Sequence, residues 1–252
     1  MGMLDGKRAI VTGASRGIGR AAALRLAREG AAVFLAADGT EEELREAAAE
    51  CGKAGGKASF GVFDLERREG PEAMIAAALE ALGGVDILVN NAGVRAPVRF
   101  GEFGHADFDR LIAVNLRAPF FASQAVLPAM RAAGGGRIIH IASQLGLVAA
   151  PRSTLYSMTK AALIQLARSM ALELAPEGVT VNCVSPGPTG TAYYLERMSR
   201  SPAERAQRLA YVPAGRFAEP EEIAAAVAFL ASGEAAFIQG HNLVVDGGYL
   251  VH

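Results

Sequence analysis

Residues 8–30 run RAIVTGASRGIGRAAALRLAREG: an apolar segment, a glycine-rich turn and an alanine-rich segment in immediate succession. RAIVTG (8–13) has strand character, and IGRAAALRLAREG has the composition of a helix that stops at Gly30, a residue suited to a helix C-terminus. Between them, Gly13, Gly17 and Gly19 give the spacing G-x-x-x-G-x-G rather than the commoner G-x-G-x-x-G. At a strand–helix junction such glycines let the backbone turn tightly and approach a pyrophosphate, which the helix N-terminus attracts through free N–H groups and its positive dipole. Any tight junction can use glycines, so the triplet takes its meaning from standing at the first turn of an α/β pattern.

That pattern continues outward. AAVFLAA, ASFGVFD, VDILVNNAG, GRIIHIAS, VTVNCVSPG and HNLVVDGG are apolar runs, and they are separated by helical stretches. TEEELREAAAECGKAG carries acids in its first turn; EAMIAAALEALGG, a helix around 107–133, one from about 154 to 175, and PEEIAAAVAFLAS follow. The strands lack polar alternation, so both sheet faces are covered, which indicates parallel strands. The expected fold is α/β: a Rossmann-like doubly wound parallel sheet of about seven strands with helices on both faces. Ligands would bind at the carboxyl ends of the strands. No linker divides residues 1–252, so one catalytic domain is expected. The stretch 188–215, PTGTAYYLERMSRSPAERAQRLAYVPAG, is poor in strand signals and is either a short helical lid or a plain surface insertion.

Composition excludes several classes. The chain has 252 residues, 51% hydrophobic and 20% charged, with a formal net charge of -1, which argues against a nucleic-acid binder. Aromatics are 6% and Trp is absent, so no base-stacking platform is expected. Cys51 and Cys183 have no CxxC or metal-ligand spacing, which points to a reducing compartment. The start lacks a signal-peptide pattern and no uninterrupted apolar run is long enough to span a membrane, so a cytoplasmic location without membrane partners is expected. His105, His140, His241 and His252 are scattered without ligand spacing, and no catalytic metal is expected. His140 reads as an interior histidine and Cys183 as strand packing.

Three places carry candidate chemistry. After the second strand, FLAADGT puts Asp38 where an acid can bind ribose hydroxyls and repel a 2′-phosphate, although a turn or N-cap Asp reads equally simply. Arg16, in the glycine turn, could instead lean toward a phosphate; the balance favours NAD over NADP. LVNNAG (88–93) ends a strand with two amides, which can tie neighbouring strands together or lie beside a cofactor. IIHIAS ends at Ser143, and TLYSMTK (154–160) opens a helix with Tyr156 and Lys160 one turn apart on one face. A Lys there can lower a phenol pKa from about 10, and a Ser at a strand end can bond the same substrate oxygen. Such a layout suits proton transfer coupled to hydride transfer.

With TGASRGIG, NNAG, Asn115 in LIAVNLRAPF, Ser143, YSMTK and SPGPTGT in order, the whole chain resembles a short-chain dehydrogenase/reductase. TGASRGIG and VVDGG resemble especially the 3-oxoacyl-acyl-carrier-protein reductase-like branch. The resemblance implies a nicotinamide cofactor and an enzyme that interconverts a secondary alcohol and a ketone. Tyr156 would be the general acid/base, Lys160 would bind the nicotinamide ribose and depress the Tyr pKa, Ser143 would orient the substrate oxygen, and Asn115 would hold a relay water. Gly13, Ser15, Arg16, Gly17 and Gly19 would line the diphosphate, with Ile18 near the nicotinamide. Asp64 and Leu65 would meet the adenine, and Asn91, Ala92 and Gly93 would pass beside the ribose. Pro186 and Gly187 would approach the nicotinamide, with Thr189 and Thr191 next to them.

Two departures stand out. Thr189 replaces a commonly aliphatic residue whose contact is through backbone. Ala37 stands where NAD-preferring members often have Asp, and Asp38 where NADP-preferring members often have Arg. The substrate pocket is expected to use Val94, Arg95, Gln144 and Leu145, with Tyr193, Tyr194, Leu195 and Met198 from the lid. Arg95 could meet an anion, although a solvated side chain is the plainer reading. Relatives imply a homotetramer. Competing functions are a 3-oxoacyl-acyl-carrier-protein reductase proper and a non-catalytic dinucleotide sensor. A cofactor-independent dehalogenase fits poorly, since the glycine turn and Lys160 are kept.

Overall fold

Consecutive apolar residues in the strands bury on alternate sides. In Arg8–Thr12 (β1), Ala9 and Val11 enter one core while Ile10 enters the other. The computed structural model describes residues 2–251, apart from the side chain of Arg197, so His252 lies outside the described residues. The strands that follow are Ala32–Ala37 (β2), Ala58–Val62 (β3), Ile87–Asn90 (β4), Gly136–Ile141 (β5), Val179–Pro186 (β6) and Asn242–Val245 (β7). They form a seven-stranded sheet in the order β3-β2-β1-β4-β5-β6-β7, and every pairing is parallel. The doubly wound α/β expectation holds, with strand ends shifted by up to three residues.

One face is covered by Gly17–Arg28 (α1), Glu41–Lys53 (α2) and Pro220–Ala231 (α9, the last helix), whose Leu26, Leu44 and Val227 are fully buried. The other face carries Gly70–Leu82 (α3), Ala118–Ala132 (α5) and Thr154–Leu174 (α6), with Met74, Val126 and Leu163 inside. Small residues on α1, Ala22, Ala23 and Ala27, bring that helix close to the sheet. Between β1 and β4 the direction of winding reverses, which opens a crevice at their carboxyl ends.

The helix expected around 107–133 is not continuous. It comprises His105–Ile112 (α4), a π turn at Ala113–Arg117 and then α5. Pro119 supplies the reason: it has no N–H to bond the carbonyl of Asn115, so the ladder shifts and the Ala118 N–H reaches Ala113 instead. This run, His105–Ala132, is the one helical stretch among the described residues long and apolar enough to cross a membrane by length and composition, and 44% of its most apolar window is buried in the fold. Mean hydropathy along a broken helix is a feature that single apolar runs do not reveal.

The stretch 188–215 is helical, as Ala192–Ser199 (α7) and Pro202–Ala210 (α8). Its base is pinned at both ends. Thr189 pairs with Ala218 in an isolated bridge, with Gly190 N–H donating to Ala218 O at 2.8 Å. At the far end Ala214 N–H donates to Gly247 O at 3.0 Å, in the turn after β7.

Candidate active site

The crevice is stitched by amides and a hydroxyl. Asn91 Nδ2 donates to Thr12 O (2.8 Å) and Gly13 O (3.2 Å), while Thr12 Oγ1 accepts from the N–H groups of Asn91 and Ala92, both at 2.9 Å. The amide pair in LVNNAG therefore ties strands, and it does so at the glycine turn itself. Gly13 and Gly17 have φ of +63° and +57°, where an L side chain is strained. Gly19 is required by close approach, since a Cβ there would stand 2.1 Å from Gly13 O. No side chain caps α1 at Arg16, so the helix presents its first N–H groups to the crevice. Ser15 is buried beneath this turn and Arg16 is exposed above it. These features fit a dinucleotide diphosphate.

Asp38 is exposed immediately past β2. The alternative of an N-cap Asp does not hold: Thr40 caps α2 by accepting from Glu43 N–H at 3.2 Å, and Glu43 returns a bond to Thr40 N–H. Asp64 is also exposed and accepts from Glu66 N–H at 2.8 Å, while Leu65 is buried in the core.

A cleft of about 350 Å³ brings the remaining candidates together. Its floor includes Ile18, Asn91, Ser143, Tyr156 and Lys160, and its walls include Val94, Arg95, Gln144 and Leu145. Gly93, Pro186, Gly187, Thr189 and Thr191 also line it, with Tyr193 and Tyr194 from the lid. Gln144 is buried with its Oε1 unpartnered. Leu195 and Met198 do not line the cleft: Met198 is buried within the protein and Leu195 points to solvent. Thr12, Ser153, Thr159 and Arg208 went unnoticed in the sequence. Thr12 borders the glycine turn and Thr159 follows Tyr156 by three residues, but nothing marked Arg208 as a lining residue.

Asn115, buried in the π turn, uses its side chain as a clamp. Its Oδ1 accepts from Val94 N–H at 2.8 Å, and its Nδ2 donates to Val94 O at 2.9 Å and Thr159 Oγ1 at 3.1 Å. Ser143, at the end of β5, accepts from Leu145 N–H at 3.1 Å and lies within hydrogen-bonding reach of the Tyr156 phenol. Lys160 is 3% exposed, and its Nζ donates to Ile141 O at 2.7 Å. Burial brings that ammonium down to about 8. Tyr156 departs from expectation. Burial raises its phenol pKa, and the opposing pulls come from the Arg95 charge and then the Ser143 hydrogen bond, not from Lys160. Arg95 is not solvated: it is half-buried over the Tyr156 ring.

Among the described residues, no group of three or more His, Cys, Asp or Glu side chains is arranged to hold a metal ion.

Comparison with known proteins places this geometry in context. A family model described as enoyl-(acyl carrier protein) reductase matches residues 13–250. A 3-oxoacyl-[acyl-carrier-protein] reductase from Vibrio cholerae is 41% identical over 248 residues, covering 97% of this chain and 98% of that protein. A solved structure from Beutenbergia cavernae, described as an NAD(P)-dependent gluconate 5-dehydrogenase with bound NADP, is 38% identical with a TM-score of 0.93 and covers 99% of this chain and 98% of that one. A 7α-hydroxysteroid dehydrogenase complexed with NADH and a 7-oxo bile acid is 35% identical with a TM-score of 0.92, over 97% and 94% of the two chains.

His140 lies directly under the site, fully buried on β5. Its Nδ1 accepts from Asn90 Nδ2 at 3.2 Å, so the ring proton sits on Nε2, which has no partner. Burial, and then the Lys160 charge, push its pKa from 6.5 to about 4. A depressed folded pKa means that the unfolded chain takes up the proton first, so folding stability is lost as pH falls between those values. The loss amounts to about 3 kcal/mol at the lower end. Urea unfolding across this range should show that slope in the wild type and a flatter one in His140→Gln.

Proposed function

The chain belongs to the short-chain dehydrogenase/reductase family and is an NAD(P)-dependent oxidoreductase of alcohols and ketones; from that premise we propose that Tyr156 is its general acid/base. The observation that carries the assignment is the convergence of the Tyr156 phenol, the Ser143 hydroxyl and Lys160 in one cleft that opens onto the glycine turn. The nicotinamide, when bound, accepts or delivers the hydride. In reduction, Tyr156 gives its proton to the carbonyl oxygen; in oxidation it takes the alcohol proton. Ser143 holds the same oxygen, its own Oγ fixed by Leu145 N–H. Lys160 binds the ribose hydroxyls. Its Nζ lies 3.5 Å from where a Gly93 side chain would begin, so the glycine keeps that approach open. Asn115 serves twice: its side chain holds Val94, and its carbonyl, which Pro119 cannot bond, holds a water that passes the proton outward.

Gly13, Gly17 and Gly19 take the diphosphate, with Ser15 and Arg16 beside it, and Asp38 takes the adenosine ribose hydroxyls. That placement favours NAD, because a carboxylate beside a 2′-phosphate is repulsive. Asp64 and Leu65 meet the adenine. Ala92 passes the ribose, and Pro186, Gly187, Thr189 and Thr191 approach the nicotinamide.

For substrate, the cleft combines the rings of Tyr193 and Tyr194 and the side chain of Leu145 with Gln144 and Arg95. Arg95, Lys160 and Arg208 line it and, among the described residues, no carboxylate does, so oxygen-rich neutral or anionic ketones are received better than amines. The helical segment 188–215 acts as the lid over this end of one catalytic domain. We place the enzyme in the cytoplasm, with the two cysteines unpaired and buried, and as a homotetramer. Exposed Phe108, Phe120, Phe121 and Leu172 on α4, α5 and α6 support the assembly. A 3-oxoacyl thioester on a carrier protein is the second reading, carried by the Vibrio cholerae relative.

Tyr156→Phe should keep cofactor binding and lose turnover by about 10²–10⁴-fold on a ketone and acyl-thioester panel; full turnover by the folded variant removes the assignment. Calorimetric titration should give tighter binding of NAD than NADP, with the gap narrowed in Asp38→Ala; tight NADP preference in the wild type overturns the ribose assignment. Sedimentation should give a tetramer, and a monomer refutes the assembly.

A further inference from the structure

The serine at the start of α6 is engaged in an unusual way. A Ser at a helix N-cap ordinarily accepts from an N–H of the first turn. Ser153 makes no such bond. Its hydroxyl donates to Pro151 O at 3.2 Å and accepts from Arg95 Nη2 at 2.6 Å. Ser153 is fully buried, and the residue before it, Arg152, is held at φ 57°, a left-handed conformation disfavoured for a side-chain-bearing residue. The turn ahead of α6 is thus built to present a hydroxyl to Arg95. Arg95 is set from its own side by the Asn115 clamp on the adjacent Val94. Between these two anchors its guanidinium carbon lies 5.4 Å from the centre of the Tyr156 ring.

We propose that Arg95 is a second cation of the acid/base device, a positioning residue whose guanidinium, held by Ser153 against Tyr156, stabilises the phenolate through which that residue acts. The attraction between a cation and an aromatic ring grows when the ring acquires negative charge, so it favours the ionised form over the neutral one. Lys160 is comparably near, with Nζ 5.7 Å from the ring centre, and donates to Ile141 O as Arg95 donates to Ser153. Among the described residues, the other groups near the phenol or the adjoining Lys160 are mostly uncharged. From β5 come the Ser143 hydroxyl and the buried His140, neutral down to about 4. From β6 comes the Cys183 thiol, pushed up to about 12 by burial. The lid contributes Tyr194 and Arg208, the latter paired with Glu204 at 2.8 Å. Asn115 on the π turn is uncharged. Arg95 is therefore the cation on the loop after β4 that faces the ring and whose charge pulls against the effect of burial.

The inference rests on Tyr156 being the acid/base, and its test needs no substrate. The chain has no Trp and 5 Tyr, so tyrosinate absorbance can be followed directly, and subtracting the titration of Tyr156→Phe isolates one phenol. In the full-length protein, Arg95→Met should move the Tyr156 midpoint upward by about one pH unit, Arg95→Lys should restore most of it, and Lys160→Met should move it less. Ser153→Ala, which keeps the charge but frees it, should give an intermediate shift, and it serves as the test if Arg95→Met does not fold. NADH binding confirms that the Arg95 and Ser153 variants keep their crevice, and circular dichroism confirms the fold of Lys160→Met, because Lys160 itself binds the ribose. An unchanged midpoint in Arg95→Met, or in Ser153→Ala where that variant must stand in, overturns the proposal. So does a shift in Arg95→Met that Arg95→Lys fails to reverse. Failure of the Tyr156 assignment would show differently, as turnover surviving in Tyr156→Phe.

Discussion

The bonds between Asn91 and the end of β1 hold the rest of the site in register. At the point where the sheet reverses its winding, two parallel strands end side by side. Asn91 Nδ2 takes Thr12 O and Gly13 O, and Thr12 Oγ1 takes two N–H groups in return. Orphaned backbone groups in a buried crevice would each be costly, so this exchange allows the strands to end where a ligand must enter. The glycine turn and the Val94–Arg95 segment leave from either side of it, and both inherit their position.

In the cleft, positive charge is set against neutral groups of the protein. Lys160 has a backbone carbonyl, Arg95 a serine hydroxyl and an aromatic ring, and His140 stays neutral. A buried ion pair would fix both charges and leave little for substrate or cofactor. Cations held by neutral acceptors retain their field. The Arg95 field falls on the Tyr156 phenol, whose own burial favours the protonated form. The two influences oppose each other at the phenol oxygen, the atom to which we assign the proton transfer.

Much of this was legible in the sequence, for reasons that differ by element. The sheet was readable because central strands covered on both faces run apolar without alternation, as AVFLAA in β2 shows. The cleft could be assembled from Ser143, Tyr156 and Lys160 because strand ends and an i, i+4 pair fix directions locally. What escaped depends on contacts across the chain. Asn115 binds a backbone segment 21 residues away, and Arg95 meets a hydroxyl 58 residues on. The π turn could have been suspected from Pro119 in LRAPF, yet a proline near a helix start is ordinarily harmless. Helical spacing pairs Tyr156 with Lys160 but carries no sign of Arg95, the cation that reaches the ring from the loop after β4.

The segment from 188 to 215 has a backbone anchor near each end, the Thr189–Ala218 bridge and the bond from Ala214 to Gly247. Neither anchor involves the residues that touch the cleft from α7 or α8. Those helices can therefore be exchanged as a cassette, in length as well as in sequence, while the reacting atoms keep their places. Substrate range and chemistry are thereby made separately heritable: a lineage can change what it oxidises without rebuilding how.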